Sequence, residues 1–585
     1  TTLPAGQRAR VSFAIPGTGV PRISPRTLLP PVTKPVEILG NTQAGGWVEL
    51  NGALVSSPGD GLEVRSASTI RGLVVNGWKL GGLVLAGSGE HEVQGCRIGT
   101  NVAGTTAVPN GWGVIVISHD NVIGGADGLG NLISGNLVTG VSIEKTSLYG
   151  VPEGNRVIGN RIGTNFDGTQ AITQRGGVSV TDGATNNIGE PRVGNLISGH
   201  AIAGISIKGP DSKSNKAQAN RIGTTADGSA AIPNLTGIRI WREASANVIG
   251  GDAFTAGNLV SGNSETGIVI AGAAFSNKLQ GNVIGLNQSG TLALANVYGI
   301  VIEDGNTNQI GGASASHKNV ISGNTIAGIS LSYEKGTHDE ALPCTGTSVQ
   351  GNWIGLTKDG LHTVPNGGPA PLSNAGILLN LYAHNTTIGG TLPGQGNVIS
   401  GNDGFGIVIN SGPALTNTVQ GNTIGLLPDG ITPAGNSGSG VGTATGSSAQ
   451  TIIGGNSTGA GNRIAYNGGH GVDLRRTSRS VPSPVQANQI FLNKGRAIAL
   501  ADRRPLNDNG DADSGPNGLQ NFPFLKTARN LSGATVVLMD LKTFPLNKSF
   551  RIDFFHHRDG DPQSGGDAWI NSISILTGTA ADALY

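Results

Sequence analysis

The sequence predicts an all-β chain, a right-handed parallel β-helix of about fifteen coils with three strands per coil and a small C-terminal β-domain. Three observations carry that expectation: short apolar phrases that return in fixed order, a two-residue apolar alternation inside them, and glycine and asparagine at the places between. Gly-Asn-Leu-Ile-Ser-Gly-Asn stands at 130–136 and returns, whole or slightly altered, at 194–199, 257–263, 319–324 and 396–402. A sister phrase, Gly-Asn-x-Ile-Gly, interleaves with it at 159–163, 281–285, 351–355 and 421–425, with Ala219 replacing the first glycine at 219–223. Together they make a double unit of about 60 to 70 residues, and each half is one coil of a solenoid that grows by stacking.

The third phrase is Gly-Ile-x-Ile or a close variant, at Gly140, Gly177, Gly204, Gly237, Gly267, Gly299, Gly328, Gly376 and Gly406. Its alternation is that of a strand with one buried face. Segments such as Asn121-Val122-Ile123, Lys278-Leu279-Gln280 and Asn417-Thr418-Val419 complete three strands per coil. Helices are disfavoured because β-branched runs are cut by Gly and Asn before a helical stripe can form. A flat sandwich would not require the same three phrases in the same order. Glycine serves tight corners, while an asparagine side chain both donates and accepts, to its own backbone and to the asparagine one coil away. Asn385-Thr386-Thr387 and Asn456-Ser457-Thr458 match glycan acceptor sequences but are read as corners.

The chain has 585 residues, 97 of them Gly, 13% charged residues and a formal net charge of +1. No basic stripe stands out to neutralise phosphates, so a nucleic-acid partner is not expected. Cys96 and Cys344 fall many coils apart and lack metal-site spacing. No apolar run reaches the roughly eighteen residues needed to span a bilayer. The Gly, Thr, Ser and Asn content, with one Met, places the chain among secreted or cell-surface proteins whose leader has been removed. Residues 1–60, rich in proline, are expected to form an N-terminal cap and entrance coil, 61–505 the β-helix, and 506–585 a β-rich region. The strands expected there, 534–539 and 550–555, make part of a truncated sandwich, and the chain reads as a fragment of a larger exported protein.

These phrases resemble the parallel β-helix repeats of the pectate-lyase-like superfamily, in particular those of large exported bacterial proteins with repeated Gly-Asn-x-Ile-Gly coils. The resemblance covers roughly residues 36–513 and implies the fold. Such coils support polysaccharide lyases, glycoside hydrolases, epimerases, phage tailspikes and noncatalytic surface proteins alike, so it implies no one activity. Gly469-His470-Gly471 is similar to the histidine motif of polygalacturonases, but the expected aspartate pair is absent, and His470 reads as a corner residue.

In a solenoid, residues far apart in sequence meet when they hold the same phase. The position after each Gly-Ile-x-Ile strand gives Glu144, Thr181, Lys208, Trp241, Ala271, Glu303, Ser332 and Asn380 on successive coils, with Asp211, Arg242, Glu243, Asp304, Tyr333 and Glu334 close by. The patch is rich in charge for so neutral a chain. With coils about 4.8 Å apart, Glu303 and Glu334 fit a retaining carboxyl pair at roughly 5 Å, and Glu243 with Glu303 approaches an inverting pair at up to about 9.5 Å. Glu243, Glu303 and Glu334 are therefore the candidate acid, base or nucleophile. Trp241 is read as a stacking surface for a sugar ring, and Lys208, Arg242, Asp304 and Tyr333 as further substrate contacts; a lyase would use Lys208 or Arg242 near the abstracted proton. The competing reading is a solvated face with routine ion pairs.

Insertions at 333–347 and 358–374 read as groove walls, plain bulges or contacts of a homo-oligomer. Trp112 and Trp353 are further aromatic candidates, with core or corner packing the alternative. Asp508, Asp511 and Asp513 offer hard oxygen ligands that suit Ca2+ at the start of the C-terminal region, although the same residues form ordinary turns. No cofactor is otherwise required. His556 and His557 with Asp559 and Asp561 read as a turn rather than a zinc centre. The function expected is binding, with hydrolytic or lyase cleavage, of an extended polysaccharide or cell-surface glycan; the alternative is a noncatalytic adhesive or structural solenoid.

Overall fold

A computed structural model describes residues 8–331, 344–368, 374–380, 383–410, 416–444, 450–477, 483–503, 505–508, 515–532, 534–541, 549–556 and 568–576. Among these residues there is no α-helix, only three 3-10 turns. The chain divides into two compact units, the first ending at Thr325 and the second opening at Ile326.

In the first unit the strands form three parallel sheets in which each strand pairs with its counterpart one coil away. One sheet begins at Ala9–Ser12, Val36–Leu39 and Thr69–Arg71, and the next at Arg22–Ile23 and Val48–Asn51. The third carries the Gly-Ile-x-Ile phrase as β1 (Thr139–Glu144), β2 (Gln174–Thr181), β3 (His200–Lys208), β4 (Thr236–Trp241), β5 (Thr266–Ile270) and β6 (Tyr298–Ile302). Its register runs Ile240 to Ile270 to Ile302, all fully buried, so one internal stripe joins successive coils. The architecture is a right-handed parallel β-helix, as the repeats predict.

The second unit repeats the pattern, with β7 (Ala327–Leu331), β8 (Ala375–Leu379) and β9 (Phe405–Ile409) in its version of the third sheet. After its coils come two antiparallel hairpins, Phe524–Leu531 with Ala534–Asp540 and Ser549–His556 with Ala568–Leu576.

Asparagines line the corners as ladders. In the first unit Asn121, Asn155, Asn186, Asn215, Asn247, Asn277 and Asn308 each hand an Nδ2–H to the Oδ1 of the next, at 2.7–3.1 Å. A second ladder runs from Asn131 through Asn160, Asn195, Asn220, Asn258 and Asn282 to Asn319. The same amides close the buried backbone of the turn: Asn215 donates to the Gly183 carbonyl, while its Oδ1 accepts the Asn186 N–H. A corner peptide with no strand partner is thereby satisfied out of reach of water.

A third ladder, Asn110, Asn136 and then Asn234, Asn263, Asn296 and Asn324, is interrupted by Gln174 and His200. Asn136 still donates to Gln174 Oε1, and the His200 backbone N–H to Asn234 Oδ1. The imidazole of His200 is buried, and its nitrogens lie near the Ile162 and Gln174 carbonyls without reaching hydrogen-bond geometry. Both cysteines are buried, and burial pushes the Cys96 thiol up to about 12, which makes it inert.

Candidate functional site

The corner that follows the third sheet of the first unit holds the predicted column. Glu144 pairs with Thr181, Thr181 with Lys208, and Lys208 with Trp241 in direct register. Ala271 and Glu303 follow Ile270 and Ile302, which continue the line from Ile240. Beside this column opens a groove of about 680 Å³ lined by Thr181, Asp182, Lys208, Gly209, Pro210, Arg242, Glu243, Gly272, Ala273 and Asp304. Five of the residues singled out from sequence, Thr181, Lys208, Arg242, Glu243 and Asp304, therefore line one groove. Glu303 precedes Asp304 on the same corner, its N–H held by the Ile270 carbonyl at 2.9 Å.

The backbone fixes this groove. Glu243 donates its N–H to the Gly272 carbonyl at 2.8 Å, Asp182 to that of Lys208 at 2.9 Å, and Gly209 to that of Arg242 at 3.1 Å. Arg242 and Glu243 are consecutive residues in the left-handed region, with φ of 54° and 64°. One coil on, Gly272 and Ala273, both at φ 59°, take the same bend with minimal side chains. A left-handed residue with a Cβ costs roughly 1 to 2 kcal/mol relative to glycine. The sequence thus places a guanidinium and a carboxylate on strained backbone at the groove, where Gly would be cheaper.

Trp241 adjoins the groove in sequence and register but is not part of its lining. Arg239 and Arg242 lie over its ring with guanidinium carbons 4.4 and 4.3 Å from the centroid, and the Lys208 ammonium is 5.9 Å away. The indole N–H donates to Ser206 Oγ at 3.2 Å, and the ring packs on Val269, Ala271 and Val301 with Tyr298 beside it. The residue expected to stack on a sugar is occupied by cations and by the apolar patch it covers. Sequence reasoning missed Arg239, one strand position before the inward Ile240, because it looked only at the column after the strand. It also missed Asp182 and Pro210.

Carboxylates nearby divide into engaged and open. Asp211 takes the Lys145 ammonium at 2.7 Å, a hydrogen bond that lowers its pKa, and Asp182 Oδ1 accepts the Asp211 N–H. Asp304 Oδ1 is shut off from solvent with no hydrogen-bond partner among the described residues. None of Lys208, Arg239 and Arg242 forms an ion pair with a described carboxylate.

Tyr333 and Glu334 lie outside the described residues, as do Ser332, Asp511 and Asp513. So do most of the insertion at 333–347, part of that at 358–374, and His557, Asp559 and Asp561. Asp508 exchanges backbone hydrogen bonds with the Asn521 side chain. Among the described residues no three His, Cys, Asp or Glu side chains gather as a metal would need. His470 accepts the Arg496 N–H at Nδ1 and has its pKa lowered by burial, as fits a corner residue. Trp112 and Trp353 are half-buried.

No protein-family model matches the sequence, and no curated protein does. Among solved structures, the chain is similar to a double mutant of the periplasmic alginate epimerase AlgG, at 12% identity over 74% of this chain and 83% of that one, with a TM-score of 0.33. It is similar to the A-module of the Azotobacter vinelandii mannuronan C-5 epimerase AlgE6, at 13% identity, coverage of 80% and 90%, and a TM-score of 0.26. The surface adhesin PfbA of Streptococcus pneumoniae stands at 11% identity, 86% and 90% coverage, and a TM-score of 0.29. At these identities the likeness concerns the fold alone. No described helix is long and apolar enough to cross a membrane.

Proposed function

We propose that this chain is an exported β-helix that binds an extended polysaccharide in the groove between Thr181 and Asp304, and that its carboxyl groups are placed for cleavage by hydrolysis or elimination. The observation that carries the reading is the pair Arg242 and Glu243, consecutive charged residues on left-handed backbone in the groove lining, while the neighbouring coil uses Gly272 and Ala273. The next coil makes the same bend with Gly272 and Ala273, so the bend itself does not call for charged side chains.

A polysaccharide suits the rest of the lining. Sugar hydroxyls both donate and accept, and the groove offers cations at Lys208 and Arg242 with acceptors at Asp182, Glu243 and Asp304. Trp241 and Glu303 hold positions two coils apart, about 9.6 Å at the usual strand spacing. With Glu243 two residues beyond Trp241, the reading takes Glu243 and Glu303 as the widely spaced acid and base of an inverting mechanism.

The test is a polysaccharide panel read by reducing-end release, by absorbance of unsaturated product and by affinity electrophoresis. Binding is expected to fall at least about tenfold in Arg242→Gly and Glu243→Gly, while thermal stability holds or rises by about 1 kcal/mol as strain is removed. Product formation is expected to vanish in Glu243→Gln and Glu303→Gln, with Glu334→Gln as the retaining-pair variant. Binding without product in the parent chain assigns the noncatalytic adhesive role. Glycan affinity unchanged in the glycine variants overturns the groove.

A further inference from the structure

We infer that the corner opening the third sheet of the first unit is a self-complementary surface, through which two copies of this chain associate side by side and antiparallel about a two-fold axis. This goes beyond the glycan reading and uses a different face: the groove follows the strands of that sheet, whereas this corner precedes them.

One column of residues runs along this corner. Val138, Arg175, Ile202, Leu235, Glu265 and Val297 each stand one place before Thr139, Gly176, Ala203, Thr236, Thr266 and Tyr298, which pair in register from coil to coil. None of the six is buried. Ile202 and Leu235 are 41% and 37% exposed, two large apolar side chains side by side in water. Arg175 and Glu265 are exposed as well, and neither closes an ion pair with a described residue. They lie three coils apart, about 14 Å at the usual strand spacing, too far to pair with each other within one chain.

In chain order the column is apolar, cationic, apolar, apolar, anionic, apolar. Turned about a two-fold axis between Ile202 and Leu235, it meets its own copy with Arg175 opposite Glu265, Ile202 opposite Leu235 and Val138 opposite Val297, every contact made twice. A parallel copy would instead set Arg175 against Arg175 and Glu265 against Glu265, a repulsive arrangement. The backbone carries the same symmetry. Between the third-ladder residue and the register position stand two residues after Asn136, His200 and Asn263, but one after Gln174, Asn234 and Asn296. The extra residues, Leu137, Ala201 and Ser264, are all exposed. The same axis sets each longer corner against a shorter one, so shape and charge match in a single arrangement. The column spans six coils, about 24 Å, short for a permanent dimer, and the association it supports is weak and reversible.

The experiment follows the full chain by sedimentation velocity from about 1 to 100 µM, the range in which a small interface populates a dimer. The expected result is a concentration-dependent dimer that weakens as salt rises from about 0.05 to 0.5 M. Arg175→Glu and Glu265→Arg are each expected to weaken it at least about tenfold, and the chain carrying both to recover it, which a folding defect would not allow. Ile202→Asp is expected to leave a monomer with an unchanged denaturation midpoint. Val138→Cys mixed with Val297→Cys is expected to crosslink through a short bis-maleimide, whereas Val138→Cys alone, its two copies about 24 Å apart across the axis, is not. A chain that stays monomeric over the whole range overturns the proposal, as does a dimer that Ile202→Asp and Arg175→Glu leave intact. Crosslinking of Val138→Cys to itself overturns the antiparallel arrangement.

Discussion

The two units follow the same grammar and spend it differently. In the first, one corner ladder is asparagine from Asn121 to Asn308, every step closed. In the second, the equivalent corner holds Thr347, Thr386, Asn417, Thr451 and Ser483, all buried, and the hydroxyls of Thr386 and Thr451 have no hydrogen-bond partner among the described residues. A hydroxyl is too short to reach the next coil while also serving its own turn; an amide does both. The outer column differs as well. Lys208 and Trp241 end β3 and β4 and Glu303 follows β6, whereas after β8 and β9 stand Asn380 and Asn410, whose amides bond each other at 3.3 Å. The fold accepts neutral amides at this phase, so the charges of the first unit are not demanded by it.

The contrast can be broken most severely at the centre of the intact ladder. Asn215→Leu removes the amide that donates to Gly183 O and Asn247 Oδ1 and accepts from Asn186, leaving several buried groups without partners. The expected loss is about 4 kcal/mol, read by denaturant midpoint and by new amide exchange in the flanking coils.

A smaller effect follows from the interruption already present. Burial pushes the His200 imidazole down to about 4, against an unfolded value near 6.5. The native state therefore binds the proton less readily. Stability from the neutral ring is complete above pH 6.5 and is lost as pH falls toward 4, by roughly 3 kcal/mol. Thermal unfolding between pH 7 and 4 should show that slope, and His200→Asn should flatten it and restore the ladder. The smallest change sharpens the comparison from the other side: Thr386→Asn should stabilise the second unit by about 1 kcal/mol, since Asn417 Oδ1, which accepts the Thr386 N–H, lies within an amide's reach.

Much of this was open to reading in the chain. The Gly-Ile-x-Ile phrase gives the register of the third sheet because its period fixes which side chains face inward, and Ile240, Ile270 and Ile302 stack as it requires. The outward column followed from the same phase. Even the broken ladder left a trace: the phrase Ile-Ser-Gly-Asn becomes Ile-Ser-Gly-His at His200. What periodicity could not give was the direction of long side chains. Arg239 and Trp241 sit on one face by alternation, yet only coordinates reveal that the indole gathers cations instead of lying bare. Nor does the repeat disclose left-handed backbone at Arg242 and Glu243, since no glycine marks it.

The ladders have a polarity. Within the corner ladders the amide-to-amide bonds run one way, each Nδ2–H donating to the Oδ1 of the coil that follows in sequence. Each coil of a ladder therefore presents amide hydrogens that only the coil after it in sequence satisfies, so a chain cut between coils leaves donors on one face of the break and acceptors on the other.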